Sequence, residues 1–320
     1  MREIVISKND GGQRLDKFLT KSFPNLPQSM LYKCIRKKDI KRNGKRCQAS
    51  DQLDAGDVLR IYLKDEFFQR KPEQYDFLKA PNRLERIYED KDMMVLDKKP
   101  GLIVHPDQSY HFDSLIARIQ RYLYETKQYD PKGEQSFTPA LVNRIDRNTG
   151  GLVMAAKNAQ ALRILNDKMR GREIRKFYLC IVCGHLSQKE GILKGYLEKN
   201  QDQNRVYISR KEGENRKKIR TKYRVLAEKK EFSLVEVELL TGRTHQIRAH
   251  FASIGHPLAG DGKYGTNAVN KKLQLRYQAL YSYKLIFDFQ TEAGVLCHLK
   301  GKVLEAKEIW LLDFFEGLPD

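Results

Sequence analysis

An α+β fold is predicted for this 320-residue chain: a main domain built on a mixed, largely antiparallel sheet, and a small α/β module at the N-terminus. Three observations predict it. Strand-like runs in the main part follow one another through hairpin turns as often as through helices, so sequential strands pair as neighbours. The first 65 or so residues carry a pattern of their own, two short helices feeding a hairpin, and then periodicity stops. With 40% hydrophobic residues, a chain of this length can fill one sizeable core or two or three modest ones. The expected organisation is an N-terminal domain over 1–65, a linker or extended strap over 66–83 and a main domain over 84–320.

Charge narrows the partner. The 60 Lys and Arg outweigh 41 Asp and Glu to leave a net charge of +19, and such a surface gains free energy by displacing counterions from a polyanion. Ribosomal RNA, transfer RNA, DNA and an anionic membrane face all satisfy charge alone. No apolar run approaches the roughly 20 residues that span a bilayer, and the N-terminus lacks the apolar core of a signal peptide. A cytoplasmic protein without a membrane partner is expected. Five cysteines, sparse and odd in number, fit a reducing compartment.

In the N-terminal module, Leu15, Phe18 and Leu19 share one face of a first helix, and Pro27 opens a second with apolar Met30, Leu31, Cys34 and Ile35. Around that second helix cluster Lys33, Arg36, Lys37, Lys38, Lys41, Arg42, Lys45 and Arg46, opposed only by Asp39. This is an electrostatic footprint suited to a phosphate backbone. Asn43-Gly44 is a hairpin signal, and Val58 to Leu63 alternates as a strand does.

The main domain opens with a strand at Met93 to Asp97, and Pro100-Gly101 punctuates a tight turn between strands. Ser114 to Lys127 places Leu115, Ile119, Tyr122 and Leu123 on one helical face. A second helix runs through Ala161, Leu162, Leu165 and Met169 to Gly171. From Arg175 to Gly184 period-two alternation puts Phe177, Leu179, Ile181 and Cys183 on one face and Tyr178, Cys180 and Val182 on the other. Cys180 and Cys183 therefore diverge, and no second ligand pair follows to make a zinc site. Arg205 to Lys222 carries Arg205, Arg210, Lys211, Arg216, Lys217, Lys218, Arg220 and Lys222 through a polar hairpin, a second candidate phosphate contact.

Phe232 to Leu240 alternates as a strand and delivers Thr241 to Phe251, where Thr244 is the expected helix N-cap and Gly255 with Pro257 stops the helix. His245 and Arg248, three apart, lie on one helical face. His245, His250 and His256 lack the spacing of a helical zinc motif, so no metal is expected. Leu280 to Leu312 reads as further strands, with Trp310 in the core.

The chemistry centres on Asn143-Arg144-Ile145-Asp146-Arg147-Asn148-Thr149-Gly150-Gly151, which runs on through an apolar strand to Ala156-Lys157-Asn158. An acid between Arg144 and Arg147 is kept ionised by neighbouring positive charge and can act as nucleophile or base. Gly150 and Gly151 permit a sharp turn that sets the acid at the mouth of a cleft.

These motifs resemble the RluA-type pseudouridine synthases, which isomerise uridine within RNA. Their central motif reads His-Arg-Leu-Asp, two residues, then Ser/Thr-Gly; here Asn143 replaces His and Ile145 replaces Leu. The run from Lys98 to Pro106 is similar to a second family motif, and Gly242-Arg243-Thr244-His245-Gln246-Ile247-Arg248-Ala249-His250, continued by Gly255 to Asp261, is similar to a third. The resemblance implies a catalytic Asp146 paired with Arg248, and a Tyr178 that stacks on the target base. It also implies substrate contacts from Asn143, Arg144, Arg147, Thr149, Arg243 and His245, with Arg144 filling the place of the departed base. Gln13 to Leu63 resembles the S-four-like RNA-binding fold.

The reaction so implied needs no cofactor and no metal. Its expected partner is RNA, ribosomal RNA of the large subunit first and transfer RNA second, bound by a monomer. The target must leave its stack, at a cost of about a few kcal/mol that unpaired loops and bulges reduce. Two other readings compete. A hydrolytic glycosidase needs two carboxylates flanking the bond, and the central motif supplies one. A catalytically silent RNA-binding or ribosome-assembly factor would not require Asp146, Tyr178 and Arg248 to be intact together.

Overall fold

The computed structural model describes residues 1–68, 75–106, 112–200 and 205–320. In the N-terminal module, strands β1 (Arg2–Val5), β2 (Ile40–Arg42), β3 (Lys45–Arg46) and β4 (Val58–Ile61) form a sheet in the order β1-β4-β2-β3. Helices α1 (Leu15–Ser22) and α2 (Gln28–Lys37) close its core, Leu15, Phe18 and Leu19 meeting Leu31, Ile35, Leu59 and Ile61. Asn43 and Gly44, both at positive φ, make the tight β2–β3 turn that their sequence calls for.

Phe67 and Phe68 pack onto this same core, with the Phe68 ring 5.3 Å from that of Phe23. Later in the same stretch, Tyr75 and Phe77 stack against each other, and Phe77 lies against Tyr129 of the main domain. Residues 69–74 of the expected linker lie outside the described residues. Polar bonds also join the two domains: Asn9 Nδ2 donates to Glu134 Oε1 at 2.8 Å, Gln135 Nε2 to the Val5 carbonyl at 2.6 Å, and Arg163 to the Gly11 carbonyl at 2.6 Å.

The main-domain strands are β5 (Arg86–Glu89), β6 (Met93–Lys98), β7 (Ala140–Leu141), β8 (Gly150–Ala156), β9 (Ile174–Cys183), β10 (Glu190–Asn200), β11 (Arg205–Ser209), β12 (Lys217–Lys229), β13 (Phe232–Leu239), β14 (Leu280–Phe287) and β15 (Val303–Glu305). They form one sheet in the order β11-β10-β12-β13-β9-β14-β8-β6-β5, with β7 on β8 and β15 on β14. Among the described residues its one parallel pairing is β8 with β14. Its helices are α3 (Leu115–Glu125), α4 (Ala159–Arg170), α5 (Gln246–Ser253), α6 (Asn267–Leu273) and α7 (Trp310–Glu316).

Alternation along the central strands splits the core in two. Met93, Val95, Leu152, Met154, Leu179 and Ile181 face α4 and α7, whereas Met94, Leu96, Val153, Tyr178, Cys180 and Val182 face α3 and α5. Cys180 and Cys183 point to opposite sides as the period-two pattern requires.

Three expectations need correction. Gly150 and Gly151 lie within β8 rather than at a turn. A Cβ on Gly151 would come 2.1 Å from the Ser282 carbonyl oxygen and one on Gly150 would meet the Tyr281 ring, so the pair permits close approach of β14. Residues 205–222 are not a hairpin, because β11 and β12 run in the same sense on either side of β10. The C-terminal segment ends in helix α7, whose Leu311 and Phe315, four apart, face the core; Trp310 is half-buried at its first turn.

Candidate active site

Asp146 sits on the loop between β7 and β8, and four interactions fix that loop. The Asn143 amide bridges β8, accepting from Met154 N at 2.8 Å and donating to the Leu152 carbonyl. The Thr149 amide donates back to the Asp146 carbonyl at 3.1 Å, closing a turn. The Gly101 amide and the Lys98 ammonium both donate to the Arg147 carbonyl at 2.9 Å. Lys98 is fully buried at the end of β6, and Nζ also donates to the carbonyls of Lys99 and Leu102. Burial pushes its ammonium down to about 7, while Asp146 and Asp97 pull the other way.

Replacing Lys98 by Met keeps the buried stem but removes all three donated bonds. A loss of about 2–4 kcal/mol is expected from the stranded carbonyls, read as a lower urea midpoint, together with reduced turnover as the Asp146 loop loosens.

The partner of Asp146 comes from α5. Arg248 donates to Asp146 Oδ2 at 2.8 Å, and its Nε and second NH2 grip both oxygens of Asp261 at 2.7 and 2.9 Å. Asp261 is completely buried, and Tyr264 covers Arg248 with its ring centroid 5.3 Å from the guanidinium carbon. Burial works against the Arg248 charge, but Asp261 and Asp146 together raise its pKa above the ordinary arginine value. The guanidinium is thus a fixed cation with one edge left for Asp146.

His245 shares that face, its Nε2 3.9 Å from Asp146 Oδ2 and its Nδ1 3.0 Å from the Tyr264 hydroxyl. The Tyr264 oxygen accepts from Val206 N at 3.0 Å, leaving its proton for His245 Nδ1. By that network the ring proton is assigned to Nε2, facing the acid. His245, not Thr244, is the residue before the helix, and it is left-handed at φ 51. No side chain among the described residues caps the first-turn amides; the Gln246 side chain instead braces the approach to the helix, its Oε1 accepting from Arg243 N and from Thr241 Oγ1.

Around Asp146 opens a cleft of about 1570 Å³ whose lining includes Tyr178, Arg144, Arg243, His245 and Arg248. Further along, Arg163, Arg170, Arg172, Arg175, Lys199 and Lys217 make its rim strongly basic. Tyr178 is buried on the floor; burial, with Asp146 adding to it, pushes its phenol up to about 12. It is therefore a neutral ring at ordinary pH. Asp167 and Glu238 also line it, but they are paired with Arg170 and Arg175. A carboxylate with a fixed cation behind it, a neutral aromatic floor and a rim with an excess of cations suit a planar base attached to a polyanionic strand.

Residues 92–253 match the RNA pseudouridylate synthase family, and residues 13–59 match the S4 domain. Over 267 residues the chain is 34% identical to ribosomal large subunit pseudouridine synthase C of Vibrio cholerae, covering 82% of this chain and 80% of that one. The chain belongs to the RNA pseudouridylate synthase family. It is also 34% identical over 277 residues to an RNA pseudouridine synthase of Aquifex aeolicus, covering 85% and 84% of the two chains. Human RNA Pseudouridylate Synthase Domain Containing 4 shares the fold, with a TM-score of 0.56 at 20% identity over 74% of this chain and 95% of that one. The protein is an RNA pseudouridine synthase with an S4 domain.

Within the synthase the expected site residues divide. Asp146, Tyr178, Arg248, His245, Arg243 and Arg144 line one cleft. Asn143 and Thr149 border it, but their side chains are buried and engaged, Asn143 on β8 and Thr149 with Gln278 Nε2 at 3.1 Å. Arg147 is exposed and gives its Nε–H to the Gly101 carbonyl. The acid's grip comes from Arg248, 102 residues away, rather than from its sequence neighbours.

On the S4 domain Lys33, Arg36, Lys37, Lys38, Lys45 and Arg46 are exposed. Lys41 lies over the Tyr62 ring, and Arg42 is half-buried on Asp57 and Asp54 at 2.6 and 2.8 Å, so Arg42 braces the fold. Three site residues, Lys98, Asp261 and Tyr264, went unassigned in the sequence. A lysine closing an apolar strand and an acid after Pro257-Leu258-Ala259-Gly260 were the available signals of buried charge.

His250 is a pH-sensitive part of the same helix. It is buried, with Nδ1 2.9 Å from Thr221 Oγ1, and burial lowers its pKa to about 4. An unfolded His titrates near 6.5, so between those values the unfolded state binds the extra proton. Stability is expected to fall as pH drops from about 6.5 to about 4, by roughly 3 kcal/mol. Urea midpoints across that range should lose this part of their slope in His250→Gln.

Proposed function

We propose that Asp146 is the catalytic carboxylate and that the target uridine lies in large-subunit ribosomal RNA. The observation that carries this is the carboxylate at the base of the basic cleft, with Arg248 locked behind it by buried Asp261. During the isomerisation the bond from uracil N1 to ribose C1′ breaks and the base turns. A bond from C5 to C1′ forms, C5 loses its proton and N1 gains one. An ionised carboxylate beside the sugar can supply an electron pair to C1′ or take a proton from the ribose.

Tyr178, as a neutral phenol, offers a ring face to the turning base. Arg144, exposed on the cleft wall, takes the place of the flipped base in the strand. Asp261 does not make a glycosidase pair with Asp146, because its two oxygens are held by Arg248 and it has no exposed surface.

The target class follows the relatives, among them the ribosomal large subunit enzyme of Vibrio cholerae. The S4 domain's exposed lysines and arginines supply a second hold on a large folded RNA. The enzyme acts in the cytoplasm as a monomer. Offered unmodified transcripts of large-subunit ribosomal RNA and transfer RNA in competition, it is expected to form pseudouridine in the ribosomal transcript. Product confined to transfer RNA would overturn the target assignment.

A further inference from the structure

Beside the catalytic cleft lies a second hollow of about 510 Å³, lined by Arg172, Lys194, Lys218, Arg220 and Thr241. Arg172 and Thr241 line the cleft as well, so the two spaces adjoin. None of the lining residues is acidic, and none of its four cations has an ion-pair partner among the described residues. Several neighbouring cations are neutralised, although Lys199 and Lys217, which line the main cleft, likewise have no ion-pair partner among the described residues. Arg175 and Lys222 share Glu238, Arg224 pairs with Glu236, and Arg216 pairs with Glu198.

The register brings the hollow's cations together. Lys194 and Arg220 are direct partners across β10 and β12, and Lys218 follows two residues along on the same face. Like charges directly opposite each other destabilise a sheet. Arg220 Nε is buried with no hydrogen-bond partner, which also carries a cost unless something occupies the hollow.

The Arg220 backbone is held as firmly as any in the site. Its amide donates to Thr241 Oγ1 at 2.9 Å, and its carbonyl accepts from Gln246 Nε2 at 3.1 Å. Gln246 opens the helix that carries Arg248, so the cationic hollow is set at a fixed place relative to Asp146.

We propose that this hollow is a phosphate subsite that takes the RNA backbone where the strand leaves the flipped nucleotide. The proposal rests on structured RNA being the substrate. Bound phosphates relieve the Lys194–Arg220 repulsion and offer an acceptor to Arg220 Nε. The hollow thereby sets the path of the strand out of the cleft, a task separate from the S4 contacts.

The test compares Lys194→Gln/Lys218→Gln with a charge-matched control, Lys91→Gln/Lys300→Gln, at exposed positions outside both cavities. Affinity for a ribosomal transcript that the parent modifies is measured against salt. The subsite double variant is expected to bind about ten-fold more weakly near 0.1 M salt, and its log–log salt slope should fall by about one per lysine removed. Its loss in kcat/KM is carried by KM, and Arg220→Gln shows the same split. The control stays within about two-fold of the parent in both readouts. Equal affinity and slope in the subsite and control variants would overturn the subsite while the parent still makes pseudouridine. Failure of the parent to modify any RNA would overturn the substrate assignment instead.

Discussion

Replacing Asp146 by Ala is expected to lower pseudouridine formation by about 10⁴-fold or more, the upper end of what one positioned acid-base or nucleophilic group contributes. The loss should be confined to chemistry. The Asp146 side chain is 24% exposed, and Arg248 keeps both bonds to Asp261 when it is gone, so no buried charge is orphaned. The basic rim is untouched, and RNA affinity should stay within about three-fold of the parent. Nucleoside analysis of digested RNA measures the first quantity and filter binding the second. Product made by the variant at near-parental rate would remove Asp146 from the mechanism. Loss of binding in parallel with product would mean that the carboxylate organises the cleft rather than the reaction.

Replacing Asp261 by Ala should have the largest effect on stability. Its carboxylate accepts two bonds from Arg248 and, on Oδ1, the amides of Lys263 and Tyr264 at 2.9 and 3.0 Å. Truncation leaves Arg248, 8% exposed, with Asp146 as its one remaining carboxylate. Breaking a buried pair from one side costs about 3–5 kcal/mol, which in a chain of this size lowers Tm by roughly 10 °C. Turnover should fall too, since nothing then fixes the guanidinium behind Asp146.

The pH dependence has a definite sign. Burial raises the Asp261 pKa, but the bonds and charge of Arg248 outweigh it and hold the carboxyl below its ordinary value. Its contribution is therefore complete above the unfolded carboxylate pKa, near 3.9, and is lost as pH falls through the lower folded value. Asp261→Asn should fall between parent and Ala, because its amide oxygen still accepts the two backbone bonds. An Ala variant melting within about 2 °C of the parent would show that Arg248 needs no anchor.

Much of this was legible in the sequence because short-range periodicity governs it. Alternation in 175–184 placed Tyr178 and Cys180 together. His245 and Arg248 do both lie near Asp146, but His245 reaches it as the left-handed residue before the helix and not from the helical face that their spacing suggests. Electrostatics over long separations was less legible. Arg144 and Arg147 adjoin the acid in sequence, yet a turn sends one to the cleft wall and gives the Nε–H of the other to Gly101. Gly150 and Gly151 look like turn residues, but the need for glycine lies in β14, whose approach no local pattern announces. Likewise Arg42 belongs by sequence to a basic patch and by structure to two aspartates. The family motif pointed to Asp146 and Arg248 as a pair, and the fold adds what no motif announced, the grip of Asp261 and the cover of Tyr264 on Arg248.

The central claim is that this cleft isomerises a uridine through Asp146, and one complementation measurement tests it most directly. Pseudouridine is mapped across total RNA from cells lacking the gene, carrying the parent gene, or carrying Asp146→Ala at equal protein level. The expected result is a large-subunit ribosomal position that loses its signal without the gene, regains it with the parent and stays unmodified with the variant. Restoration of that signal by Asp146→Ala would contradict the claim.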